Sequence, residues 1–275
     1  MTLRYPDLIS IDEVLRGKKK ESAAIKQTNY TRQSYSFHTA PPIELHNPLH
    51  GGPYIQVKDA SYIGTLSGVV IDSAGNPLLL SNRHIFFPQE TGSNGRPLWQ
   101  PIAAPGSTSA RVVGITKAKK SPPGITFPVN KKLTSSDISK IPTFYDAAVA
   151  SVTVPYSFNI PGIGITTGHT EPKVGMNVTL AGGTSGITKG KITNSSANYT
   201  TAEFAGSGNF TYIKNVFIYS APTDHGDSGG VVVETATKKV VGLAIASDEN
   251  NPSLNVGCRA SVIANAFGIS FVGKS

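Results

Sequence analysis

Cysteine is nearly absent: among 275 residues there is one, Cys258. A single thiol excludes an intramolecular disulfide, so the fold stands on its core, and the cysteine count gives no sign of an oxidising compartment. Long apolar runs are missing as well. No stretch of about 18 apolar residues occurs, which argues against a transmembrane helix. The N-terminus, Met1-Thr2-Leu3-Arg4-Tyr5-Pro6-Asp7, has a charge but no apolar segment behind it. No secretory signal peptide is visible, and the chain is expected inside the cell or delivered by a non-standard route. Charged residues are scarce, at 15%. With 28 glycines and 19 prolines, and with short β-type runs outnumbering helical patterns, this profile excludes a helical bundle and points to an all-β sandwich or barrel. The length suits one large domain or two small ones with a sizeable core.

The charge that is present is unevenly placed. Of a formal net +8, much lies between Arg111 and Lys140, where seven basic residues face one acid, Asp137. Nucleic acid or an anionic surface is one partner for such a patch. The lysines do not alternate with aromatic residues as a single-strand stacking platform requires, so a solvated loop is the better reading and nucleic acid is not expected as a partner.

Residues 1–52 read as a separate N-terminal extension. Ser10 and Glu13 form a capping-box pattern ahead of a short helical stretch, Ile11 to Arg16. A polar tract then leads to Pro41-Pro42, Pro48 and Gly51-Gly52-Pro53. This composition suits a propeptide, or an arm that docks onto a partner. His38, His46 and His50 lie here, but His46 and His50 alone have metal-like spacing. Without a third ligand they support no metal site, and no cofactor is expected.

From residue 53 onward strand signals dominate. Gly64 to Ile71 reads as a strand, Asp72-Ser73-Ala74-Gly75-Asn76-Pro77 as a hairpin turn, and Leu78 to Asn82 as the return strand. His84 follows that strand directly; it is either a structural histidine or an imidazole held firmly by the backbone beneath it. Residues 88–110 read as loop and Arg111 to Ile115 as a short strand. Asp146 heads the apolar run Ala147 to Val152. A carboxylate there must find donors or lose its charge; a turn N–H or a histidine N–H would serve. Val174 to Leu180, the turn Gly182 to Gly186 and Ile187 to Ile192 form a second hairpin. Gly257 to Ile263 is the last strand, and Ala264 to Phe267 begins a closing helix that Gly268 ends.

Between these lies Gly226-Asp227-Ser228-Gly229-Gly230. One hydroxyl sits among turn-forming residues, and such a turn can expose Ser228 beside unpaired main-chain N–H groups. Donors of this kind, aimed at a developing oxyanion, are what acyl transfer requires. A glycine-rich hairpin carrying an ordinary serine is the plainer alternative.

Three stretches in chain order, Leu79-Leu80-Ser81-Asn82-Arg83-His84, Asp146-Ala147-Ala148-Val149 and Gly226-Asp227-Ser228-Gly229-Gly230, resemble the chymotrypsin-fold (trypsin-like) serine peptidases. Gly175-Met176 and Gly183 to Gly190 resemble a disulfide-free subgroup of bacteria and plants. The resemblance covers about Gly64 to Phe267. It implies two six-stranded antiparallel β-barrels, about 53–155 and 156–275, with a short C-terminal helix and the site in the cleft between them. It also implies a serine endopeptidase acting on a protein or peptide. Ser228 is then the nucleophile, His84 the base and Asp146 its orienting acid, with the N–H groups of Gly226 and Ser228 as the oxyanion hole. Asn82-Arg83-His84-Ile85 departs from the family's Ala-Ala-His-Cys, so no disulfide anchors that loop. Pro222 stands where trypsin-type enzymes carry an aspartate, so a basic substrate residue is not expected. Pro222, Thr223, His225, Ala244, Ile245 and Ala246 are expected to shape a pocket for a small or moderately apolar residue. Members of the fold often activate when a new N-terminal amine pairs with the acid beside the serine, here Asp227. Two other readings stand beside this one: a catalytically silent protease-fold binding module, and an anionic-surface or nucleic-acid binder using the basic loop.

Overall fold

The computed structural model describes residues 9–10, 45–58, 60, 63–87, 94–100, 111–120, 125–128, 133–202, 209–224, 226–248 and 251–271. The expected helix at Ile11 to Arg16, His38 and His225 lie outside the described residues.

The N-terminal half supplies β2 (Tyr54–Val57), β3 (Gly64–Thr65), β4 (Gly68–Asp72), β5 (Pro77–Ser81), α1 (Arg83–Phe86), β6 (Pro97–Gln100), β7 (Arg111–Lys120) and β9 (Ala147–Val152). These strands, with β18 (Ile269–Ser270) from the chain end, form one antiparallel sheet in the order β18-β4-β5-β9-β7-β6-β2-β3. A second sheet holds β12 (Asn177–Gly182), β13 (Gly186–Ala202), β14 (Asn209–Tyr219), β15 (Val231–Glu234), β16 (Val240–Asp248) and β17 (Asn251–Arg259). The β13–β14 pairing closes these six into a barrel. β1 (Ile9–Ser10) adds to the outer side of β13, at Tyr199 and Thr200, and β8 (Ile125–Pro128) pairs with β14. A small hairpin of β10 (Asn159–Ile160) and β11 (Gly164–Ile165) stands apart. α2 (Ser135–Lys140) and α3 (Ala260–Phe267) complete the helices of the described residues. None of the helices is long and apolar enough to cross a membrane.

The runs Val69 to Ile71 and Leu78 to Leu80 are continuously apolar because their strands have protein on both faces. Alternate residues feed different cores, as the two-residue period of a strand requires. Val69, Leu79, Ala148 and Ala150 join Ile55, Leu66, Phe86 and Leu98 inside the first sheet. Val70, Leu78, Leu80 and Val149 point the other way and pack with Val231, Leu243, Ile245 and Ile263 of the second half. The largest buried cluster therefore lies between the halves and fixes their relative position. The second barrel has its own interior of Val178, Leu180, Phe217, Val232 and Val241. The hairpin turn after β4 is set by Asp72, whose Oδ1 accepts the N–H groups of Ala74 (3.0 Å) and Asn76 (2.8 Å).

The all-β fold is as the sequence implies, with one difference in closure: the second half is a closed six-strand barrel and the first a curled half-barrel. The strand expected over Gly64 to Ile71 is broken at Leu66-Ser67, where Gly68 takes φ +151° and the Ser67 hydroxyl turns to the Gly229 carbonyl (2.5 Å). The expected loop over 88–110 contains β6, because Leu98 and Trp99 are buried between β2 and β7. The basic stretch contains β8 and also α2, opened by a Thr134–Asp137 capping box. The last strand ends at Arg259 rather than Ile263. The ladder with β16 ends at the Gly242–Arg259 pair, and Ala260 to Phe267 is helical, ended by Gly268.

Candidate active site

His84 sits on α1, a single helical turn straight after β5. Asp146 is the last residue before β9, the neighbour of β5. The register that pairs Ser81 with Ala148 puts the two side by side. Asp146 Oδ1 accepts the main-chain N–H of His84 at 3.1 Å, and Oδ2 is hydrogen-bonded to His84 Nδ1. The carboxylate is the more enclosed partner, with 4% of its side chain exposed against 14% for the histidine. The Asp146 carbonyl is held in turn by Asn82 Nδ2 at 2.7 Å. Ile85 fills the space beside Gly64, where an added Cβ would lie 2.5 Å from its side chain. Apolar packing thus secures the loop that lacks a disulfide.

Ser228 comes from the other half, in the turn between β14 and β15. This loop presses on the residues just before His84. A Cβ on Gly229 would lie 2.4 Å from Ser81 Oγ and 3.4 Å from Asn82 N, and Gly229 takes φ +92°, so only glycine fits. The Ser228 hydroxyl, half-buried, donates to the Ile245 carbonyl at 3.1 Å. Neither the Gly226 N–H nor the Ser228 N–H has an acceptor among the described residues. Other groups of the loop are tied down: Gly229 N–H donates to Ala244 O (3.0 Å) and Gly230 N–H to Asp227 O (2.8 Å).

Asp227 is buried, and its carboxylate accepts three main-chain N–H groups. Oδ1 accepts from Thr184 (2.8 Å) and Ser185 (3.0 Å), and Oδ2 from Asp224 (2.8 Å). Tyr54 donates to Thr184 Oγ1 at 2.9 Å. Burial pushes its phenol above the ordinary value, and the nearby Asp227 and Asp224 add to this against the Thr184 hydrogen bond, so it remains a donor at neutral pH.

Of the expected pocket residues, Ala244 and Ile245 are buried on β16, Ala246 is half-buried and Pro222 is exposed. Thr223 meets a residue that the sequence did not single out. Its hydroxyl donates to Oδ1 of Asn255 on β17, while Asn255 Nδ2 donates to the Ala221 carbonyl at 2.8 Å. Thr65 and Asn255 lie outside every motif of the sequence, while Asn82 and Thr184 lie within the motif stretches without a role of their own being assigned. His46 and His50 pack edge to face at 4.6 Å, and no group of three metal-ligating side chains occurs among the described residues.

A closed barrel beside a curled half-barrel, with a short helix at the C-terminus, defines a chymotrypsin-like fold. The sequence matches the trypsin-like peptidase domain over residues 66–243, well over half of the chain, and the protein belongs to that family. Solved bacterial proteases share the fold. Nocardiopsis protease NAPase is similar with a TM-score of 0.53 at 16% identity, over 81% of this chain and 98% of that one. Thermobifida fusca protease A gives 0.53 at 16% identity, over 82% and 100%. Cellulomonas bogoriensis chymotrypsin gives 0.51 at 18% identity, over 82% and 100%. The chain matches no curated protein sequence.

Proposed function

We propose that the protein is a serine endopeptidase working through Ser228, His84 and Asp146. The observation that carries this reading is the doubly hydrogen-bonded His84–Asp146 pair, placed beside a glycine turn in which the N–H groups of Gly226 and Ser228 have no acceptor among the described residues. In the reaction, Ser228 Oγ turns from the Ile245 carbonyl to Nε2 of His84, gives up its proton and attacks the scissile carbonyl. The N–H groups of Gly226 and Ser228 receive the oxyanion. His84 passes the proton to the leaving amine, leaving an acyl-enzyme. Water, deprotonated by the same imidazole, then releases the acid and restores Ser228. Asp146 keeps the proton on Nδ1, so that Nε2 is free to accept.

The substrate is a peptide or protein, as the family implies. The Thr223–Asn255 pair is neutral and satisfied internally, which supports a small uncharged residue on the acyl side of the scissile bond rather than a basic one. A fluorophosphonate tests the mechanism. It should modify Ser228 alone, Ser228→Ala should abolish labelling, and His84→Ala should slow it by orders of magnitude because the base is gone. Folded wild-type protein that stays unlabelled, or labelling that survives Ser228→Ala, would overturn the peptidase reading and favour a silent protease-fold module.

A further inference from the structure

Thr65, the last residue of β3, belongs to the half that carries His84, yet its hydroxyl and its main-chain N–H both bond to the other half. It is fully buried. Its hydroxyl donates to the Gly226 carbonyl at 2.7 Å and accepts the Gly183 N–H at 2.7 Å. Its main-chain N–H donates to the Ser228 carbonyl at 2.8 Å, and its own carbonyl accepts the Ser81 hydroxyl at 2.7 Å. Gly226 and Ser228 are thus held by their carbonyls on a single residue, and the Ser228 N–H lies between the two pinned points. Rotation of the Gly226–Asp227 peptide would cost the Thr65 hydroxyl its acceptor inside a dry contact, where an unmet donor is expensive. The Gly183 N–H fixes which way that hydroxyl points: the oxygen accepts from Gly183, so its one proton is free for Gly226. The Asp227 carboxylate is anchored on the same 183–185 turn, so the turn, Thr65 and the serine loop form one bonded unit.

We infer that Thr65 is a positioning residue for the oxyanion donors, acting from the first half to hold the Gly226–Ser228 backbone in its reactive orientation. This rests on the serine-hydrolase reading above.

Hydrolysis of p-nitrophenyl acetate by the full chain tests this, with Ser228→Ala as the blank. Loss of one oxyanion donor lowers kcat by about 10²–10³-fold in serine proteases. Thr65 acts through such donors, so Thr65→Val, which keeps the shape and removes the hydroxyl, should lower kcat by roughly 10–100-fold with KM within about threefold. Thr65→Ser should restore kcat to within about threefold of wild type. Thr65→Ala carries the same expectation as valine should the valine variant fail to fold. A folded Thr65→Val or Thr65→Ala enzyme with kcat within twofold of wild type overturns the inference, as does a loss confined to KM or a Thr65→Ser enzyme as slow as the valine variant. If wild type turns over the ester no faster than Ser228→Ala, the hydrolase reading fails. The inference is then decided by a crystal structure of Thr65→Val: a Gly226–Asp227 peptide turned from its wild-type orientation supports it, and an unmoved peptide overturns it.

Discussion

Replacing Asp146 by asparagine separates holding the imidazole from merely filling space. Asp146 gives two acceptors to one residue, Oδ1 to the His84 main-chain N–H and Oδ2 to Nδ1. Asparagine keeps one oxygen, which can serve the main chain, and puts an NH2 where Oδ2 was. An NH2 cannot accept, so Nδ1 must give up its proton and the neutral ring carries it on Nε2, the atom that has to receive the serine proton. The same exchange lowers kcat by about 10⁴ in the chymotrypsin triad. At 1.36 kcal/mol per tenfold this is about 5.4 kcal/mol of transition-state stabilisation. The stability cost should be smaller, about 1.5–3 kcal/mol for a lost hydrogen bond to a charged group. Phosphonylation of Ser228, timed by mass spectrometry, should therefore slow by about four orders of magnitude while urea unfolding shows a folded protein of modestly lower stability. A rate within tenfold of wild type would refute the role given to Asp146 and leave the carboxylate as a cap for the turn at His84.

Two further outcomes follow from packing and burial. Ile85→Ala should lower the unfolding free energy by about 2–5 kcal/mol in urea titrations, because the side chain is fully enclosed between Gly64 and the first-half core; a change under 0.5 kcal/mol would show that the His84 loop is held otherwise. Burial pushes the Cys258 thiol from its ordinary value of 9.0 up to about 12. Its contribution to stability is therefore full below about pH 9 and is lost as pH rises toward 12, since the unfolded chain gives up the proton first. Cys258→Ala should flatten that alkaline decline, and native protein at pH 8 should resist iodoacetamide until unfolded.

The parts of the fold that were legible in the sequence are those where local chemistry and tertiary packing agree. The 72–77 turn reads as a turn because an aspartate, a glycine and a proline sit where a hairpin needs them, and Asp72 makes the bonds expected of it. β6 did not read as a strand. Its four residues lie among Gly, Pro and Ser, and they are extended only because Gln56 and Val57 on one side and β7 on the other complete their ladder. The break at Leu66-Ser67 has the same character. Gly68 is the one local hint of it, and the contact that accompanies it, with the Gly229 carbonyl, is 162 residues away. The α3 boundary slipped because Val262 and Ile263 suit a strand as well as a helix, and only the end of the β16–β17 ladder decides between them.

The candidate site divides along the same line. His84, Asp146 and Ser228 stand out as candidates because each sits at a strand end or in a glycine turn with a local reason to be exposed or paired. The groups that hold them do not. Thr65 touches the serine loop across 161 residues of sequence, and Asn255 reaches Thr223 from two strands further along the barrel. A threonine in a β-rich run is an ordinary residue by composition, since β-branched side chains favour strands whatever their hydroxyl does. Its hydroxyl gains meaning only once the curled half-barrel is pressed onto the closed barrel and the Gly183 N–H and Gly226 carbonyl come within reach of one oxygen. On the peptidase reading, the motifs mark where bonds would be made and broken. The groups proposed to position that chemistry are single polar atoms that cross from one half to the other, and these become visible only in the folded chain.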